Sequence, residues 1–264
     1  MPHVVHQSIS QFTRAALFGL LLAAALASFT FAQTQPPAPQ FYRVQVIKTN
    51  PGVSAEWQTL YKNEVLPALK KAGVKQQTVL QVVQGDVRQW VIISAALENF
   101  AQLDEPTPLV KALGEEGARA LNNKQGRLLA EWRSYVSQGR PDLGIAPASS
   151  EPMKLATSIK TIVMPGRAAE WEKFVKENLL PATKKAGIKG VLAGKVAFGG
   201  DTDEYRTLLL FDSYADGLKF AQALAKAQAE LNLATAPPAG VVAHREALVV
   251  RYVPELSIRP AAQK

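Results

Sequence analysis

Residues 51–75 read PGVSAEWQTLYKNEVLPALKKAGVK, and residues 165–189 read PGRAAEWEKFVKENLLPATKKAGIK. The two stretches align without a gap at a shift of 114, and 14 of the 25 positions are identical. Agreement of that density over one helix length means that a single supersecondary unit occurs twice in the chain. Within it, Trp57, Leu60, Tyr61, Val65 and Leu69 recur at spacings of three and four, as do Trp171, Phe174, Val175 and Leu179. That is the apolar stripe of a helix, and it makes Trp57 and Trp171 core anchors. Ala72-Gly73 and Ala186-Gly187 end the helix, with lysines in the last turn where they complement the helix dipole. Pro67 and Pro181 lie inside the pattern and predict a kink, because each removes one backbone donor.

Working outward, each helix is preceded by a strand-like run, Phe41 to Thr49 or Leu155 to Met164, and by a Pro-Gly turn. Two extended runs around a turn follow: Gln76 to Val83 with Gln89 to Ala95, and Val191 to Ala197 with Tyr205 to Phe211. A second helix comes next, Leu109 to Leu121 or Tyr214 to Leu231, and then a last strand, about Arg127 to Ser137 or Val241 to Tyr252. The repeat extends weakly to the ends: Leu97-Glu98-Asn99-Phe100-Ala101 aligns with Phe211-Asp212-Ser213-Tyr214-Ala215, and Arg140 to Ile145 aligns with Val253 to Ile258 at a shift of 113. The fold class is therefore α+β, two tandem ferredoxin-like βαββαβ repeats at 41–145 and 154–258. A four-stranded sheet with both helices on one face leaves its other face bare, and two copies in one chain can cover each other by closing a barrel. Such closure within one chain predicts a monomer. Residues 146–153 form the linker and 33–40 a Pro-rich spacer.

The succession of strand, Pro-Gly turn, Ala-Glu-Trp, a helix with Leu-Pro, and Lys-Lys-Ala-Gly resembles the dimeric α/β-barrel superfamily, in particular NIPSNAP-like and antibiotic-biosynthesis-monooxygenase-like domains. The resemblance covers both copies and implies an intrachain dimeric α/β barrel. It implies no particular reaction, since the superfamily includes cofactor-free oxygenases, haem enzymes, isomerases and proteins with no assigned activity. In members that bind a ligand, the site lies between sheet and helices or inside the barrel.

Residues 1–32 read as a signal peptide: a polar start with one positive side chain, Arg14, then an apolar, small-residue run ending Thr30-Phe31-Ala32. The expected product is exported, periplasmic or secreted, and not stably inserted in a membrane. Its charge balance is about +7, spread over helices with interleaved acids, which describes a solvated basic surface and no nucleic-acid binder. The absence of cysteine excludes disulfides, zinc-thiolate sites, iron-sulfur clusters and thiol nucleophiles. Phosphate-binding glycine loops, G-x-S-x-G, H-E-x-x-H and EF-hand patterns are also missing from the sequence.

His244 is the sole histidine after the signal, too few for a multi-histidine metal site. In the last strand it shares a face with Glu246, by the two-residue period, and could serve acid-base chemistry or ligate haem. The competing reading is a solvent-facing polar stripe. Trp132 and Arg133, in the equivalent strand of the first copy, could flatten against an aromatic or anionic ligand, against a reading in which Trp132 belongs to the core. Arg43 and Gln45 could line a cavity, their direction open. Two functions follow as expectations. One is a barrel-type module with no metal or cofactor of its own, binding a small apolar or aromatic ligand or a protein partner through Trp132, Arg133, His244 and Glu246. The other is a cofactor-free oxygenase or isomerase built around His244.

Overall fold

The computed structural model describes residues 40–149 and 151–259. The expected signal peptide and residues 33–39 of the spacer lie outside them. The first repeat runs β1 (Phe41–Thr49), α1 (Ser54–Leu60), α2 (Leu66–Lys71), β2 (Gln77–Gln84), β3 (Gln89–Leu97), α3 (Pro108–Leu128) and β4 (Leu129–Gly139). The second runs β5 (Leu155–Val163), α4 (Ala168–Phe174), α5 (Leu180–Lys185), β6 (Val191–Phe198), β7 (Glu204–Phe211), α6 (Tyr214–Glu230) and β8 (Val242–Tyr252). All neighbouring strands are antiparallel, and they close into a barrel in the order β1-β3-β2-β8-β5-β7-β6-β4. Each repeat contributes a four-stranded sheet, and the seams β2–β8 and β4–β6 join them into a closed ring, each seam covering only part of its strands.

Strand alternation assigns the faces. Ile47, Val79, Trp90 and Ile92 point outward and pack with Trp57, Tyr61, Val65, Leu66 and Leu69 of the first helix layer. Val163 and Tyr205 do the same against Trp171, Phe174 and Val175. By the same alternation Arg43 and Gln45 share the helix-side face with Ile47, so they do not line the barrel. Trp57 is fully buried and Trp171 is 5% exposed, as core anchors should be.

The expected kink at Pro67 and Pro181 takes the form of a π turn. Tyr61–Val65 and Val175–Leu179 are π-helical, with Leu66 N–H donating to the Tyr61 carbonyl and Leu180 N–H to that of Val175. A proline in an uninterrupted α-helix would lack one bond and press its ring on the carbonyl four residues back; widening the preceding turn gives the ring room, while the donor stays missing. Each helix then ends in the same cap. Gly73 adopts φ +81° and Gly187 φ +77°, and their N–H groups bond Lys70 and Lys184 carbonyls while Val74 and Ile188 reach back to Leu69 and Thr183.

Two boundaries differ from the sequence reading. α3 continues to Leu128, past the expected end at Leu121, and displaces the start of β4 from Arg127 to Leu129. It does so across a break at Gly114, where φ is +72° and the backbone leaves the helix. The end of the first repeat is structured beyond β4 as well. Pro141–Leu143 is a 3-10 turn, and Ile145 bridges to Val191.

Candidate functional site

Because directions alternate around the ring, the C-terminal ends of β1 and β5 and the N-terminal ends of β4 and β8 open on one end of the barrel. The barrel-side faces of β2, β5, β7 and β8 form a packed core: Leu80, Val82, Ala156, Leu210, Leu248 and Val250 are buried together, with Val91, Ile93, Leu208 and Tyr252 against them.

All four expected site residues stand at that first end, on two arms. Glu131, Trp132 and Arg133 of β4 lie opposite Lys48, Ile47 and Val46 of β1, whereas His244, Arg245 and Glu246 of β8 lie opposite Ile162, Thr161 and Lys160 of β5. The registers match, so the arms are equivalents in the duplicated unit. β4 meets β6 only from Val136 onward and β8 meets β2 only from Val249 onward, which leaves each arm paired on one side. Residues 130–134 and 243–247 are all exposed. Trp132 is 42% exposed, so the core reading of that residue does not hold. Its pairing with Ile47 turns it to the helix-side face, away from Arg133, His244 and Glu246, which point to the barrel side. β4 and β8 are four strands apart in a ring of eight, and among the described residues no ion pair or hydrogen bond joins the two pairs. Their neighbours are ion pairs: Glu246 with Lys160 at 3.4 Å, Arg133 with Glu131 at 3.9 Å, and Asp86 with Lys48 at 2.6 Å. The hydrogen bond from Lys48 holds the Asp86 carboxyl below its usual range. Among the described residues no group of three His, Asp or Glu side chains could hold a metal ion.

The opposite end carries a concavity. A cleft of about 580 Å³ is lined by the segment before β5 (Glu151, Pro152, Met153, Lys154), the β7–α6 junction (Asp212, Ser213, Tyr214), the end of β8 (Arg251, Tyr252) and Arg259. Ser213 caps α6 by accepting from Asp216 N–H at 3.1 Å, which fixes Tyr214 on the first turn at 50% exposure. Arg259 donates to the Tyr252 hydroxyl at 2.9 Å and lies 5.1 Å from the centre of that ring. Asp212 is engaged by Lys189, and that bond, with Lys154 nearby, holds its carboxyl below the usual range. Among the described residues neither Lys154 nor Arg251 is within ion-pair distance of a carboxylate. The cleft thus pairs aromatic and apolar walls with unneutralised positive charge. Sequence reasoning missed every one of these residues; the signal that could have found them is the set of positions at which the two repeats differ.

A second polar group is structural. Arg140 makes paired hydrogen bonds to Glu172 and to Asp142, Lys176 reaches Asp142 at 2.8 Å, and the Tyr205 hydroxyl donates to Glu172 at 2.7 Å. The guanidinium keeps both carboxyls below their usual range, while burial pushes the Tyr205 hydroxyl up. This network ties the connection between the repeats to α4 and β7.

No protein-family model matches the sequence, and no curated protein matches it. Solved structures do match in fold. An anthrone oxidase-like protein aligns with a TM-score of 0.56 at 13% identity, covering 81% of this chain and 91% of its own. Monooxygenase-type proteins from Fusobacterium nucleatum and Lactobacillus acidophilus align with TM-scores of 0.52 and 0.51, at 10% and 9% identity. They cover 82% and 85% of this chain and 94% and 98% of their own. At such identities the likeness speaks to architecture alone. The chain has the dimeric α/β-barrel fold, with both halves of the barrel supplied by one polypeptide.

Proposed function

We propose that this protein is an exported binding module that holds a small organic ligand with an apolar or aromatic body in the cleft at the β5–β8 end of the barrel. One observation carries the reading: a cleft of about 580 Å³ in which Tyr214, Tyr252 and Met153 stand beside Lys154 and Arg251. Aromatic side chains supply large contact area at low entropy cost, and a few polar groups orient what they hold. Native mass spectrometry of the protein purified gently from its own host tests it. A small-molecule adduct, lost in a Tyr214→Ala, Tyr252→Ala double variant, is the expected result. An adduct retained by that variant would place binding elsewhere and overturn the proposal. Export is checked by N-terminal sequencing, which should begin at Gln33.

The oxygenase or isomerase reading draws on His244 and Glu246 sharing one face of β8. A general acid or base needs a substrate held within hydrogen-bond reach. The arm is exposed and Glu246 is already paired with Lys160, so binding is favoured over catalysis. Oxygen consumption with an aromatic substrate, lost in His244→Ala, would reverse that preference.

A further inference from the structure

We infer that the cleft is selective for amphipathic organic anions, a flat apolar body bearing one acidic group, and that only the second repeat has this site; the inference rests on the ligand-binding reading above. What carries it is a concerted divergence between equivalent positions. Leu155 pairs with Arg251 as Phe41 pairs with Gln138, which fixes the correspondence at this end of the barrel. In the first repeat the place is filled by aromatic rings: Phe41 and Phe100 lie 4.7 Å apart, and Phe100 and Phe198 5.8 Å apart across the β4–β6 seam. The second repeat has Leu155 for Phe41, Tyr214 for Phe100 and, across the β2–β8 seam, Gln84 for Phe198. Two rings are lost from the plug, and a cleft opens between the same elements.

The charges change together with the shape. Lys154, Arg251 and Arg259 of the cleft replace Gln40, Gln138 and Ala146 of the first repeat, so all three cations are new to this side. Of the two acids lining the cleft, Asp212 is taken up by Lys189 and replaces Glu98, an acid in both repeats. Glu151 stands at the outer lip, exposed. Positive charge gained where an aromatic plug was lost suits a ligand with an apolar body and a negative head. Drift on an unconstrained surface gives no reason for all three cations to appear around the one place that opened.

Fluorescence titration of the full mature chain tests the inference with two probes of similar ring size: the anion 8-anilinonaphthalene-1-sulfonate and the neutral N-phenyl-1-naphthylamine. The expected result is one anionic probe per chain, bound about tenfold more tightly than the neutral one at low salt, with the difference shrinking as salt is raised. Lys154→Gln with Arg251→Gln restores the first repeat's residues at two exposed positions. It should erase the preference, the anionic probe losing about tenfold in affinity and the neutral probe much less. Leu155→Phe should restore the plug and abolish binding of both. Equal affinities in the parent chain, or a preference that survives the double glutamine variant, would overturn anion selectivity while leaving the cleft as an apolar site. If neither probe binds, the ligand-binding reading falls and the selectivity with it.

Discussion

The two repeats build the same strands, the same π-turn helix and the same glycine cap, yet the centre of each helix–sheet layer is made differently. In the first, Trp57 stacks between Tyr61 at 5.0 Å and Trp90 at 4.9 Å, and both tryptophans are fully buried. In the second, the strand position of Trp90 is held by Tyr205, whose ring is a looser 6.3 Å from Trp171. The phenol brings a hydroxyl that must be satisfied, and Glu172, in place of Gln58, accepts its hydrogen bond. Glu172 in turn needs a cation, which Arg140 supplies where the other repeat has Val253. One aromatic exchange is therefore accompanied by two further changes that complete its hydrogen bonds. The first layer manages without such a network, although the indole N–H groups of Trp57 and Trp90 meet no acceptor among the described residues. A duplicated scaffold can thus exchange dense packing for a satisfied polar node while keeping the same strands and the same π-turn helix.

The comparison breaks most readily at its densest point. Trp57→Ala should destabilise the chain by about 3–5 kcal/mol, and Trp171→Ala by less, read from chemical denaturation. A larger loss for Trp171→Ala would mean that the polar node, not the aromatic stack, is the stronger of the two. Arg140→Ala removes the cation from two carboxylates, with Glu172 only 23% exposed, and should cost about 2 kcal/mol. Arg140→Lys should recover only part of this, since an ammonium cannot reproduce both forked contacts.

Acid sharpens the contrast. Glu172 and Asp142 have carboxyls held below their unfolded range of about 4, so their stabilisation is fully present above that pH and is lost as pH falls through the lowered folded values. Hydrogen exchange below about pH 3 should therefore accelerate in α4 and β7 before α1 and β3. Uniform acceleration in both repeats would remove the network's claimed role. The smallest effect concerns the exposed Glu64–Lys124 pair at 2.7 Å: Lys124→Ala should change stability by no more than about 0.5 kcal/mol.

Much of this fold was legible because the repeat preserves the residues that packing constrains. The stripe from Trp57 to Leu69, seen twice, identified the helix, and β1 spans the Phe41 to Thr49 run in which β-branched residues are frequent. The π turn was not legible, since a one-residue widening leaves the spacing of apolar residues almost unchanged and Pro67 announces only a missing donor. Gly114, Gly117 and Gly126 hid the length of α3, because glycine weakens a helix locally while Ala118, Leu121 and Gln125 are held by tertiary burial. His244 and Trp132 drew attention by chemical type, and type does not say that a strand will project beyond its neighbour. The cleft is assembled from segments near 151, 212, 251 and 259, whose residues are individually ordinary. Only the three-dimensional register brings them together, and with it the positions where the repeats part company.

That difference between the halves is most directly measured as a stoichiometry with a location. Isothermal titration of the chain with 8-anilinonaphthalene-1-sulfonate, followed by NMR of the same complex, should give one equivalent bound and perturb Tyr214, Tyr252 and Met153 signals. Two equivalents per chain, or perturbation centred on Phe41, Phe100 and Phe198, would contradict the account of one plugged half and one open half.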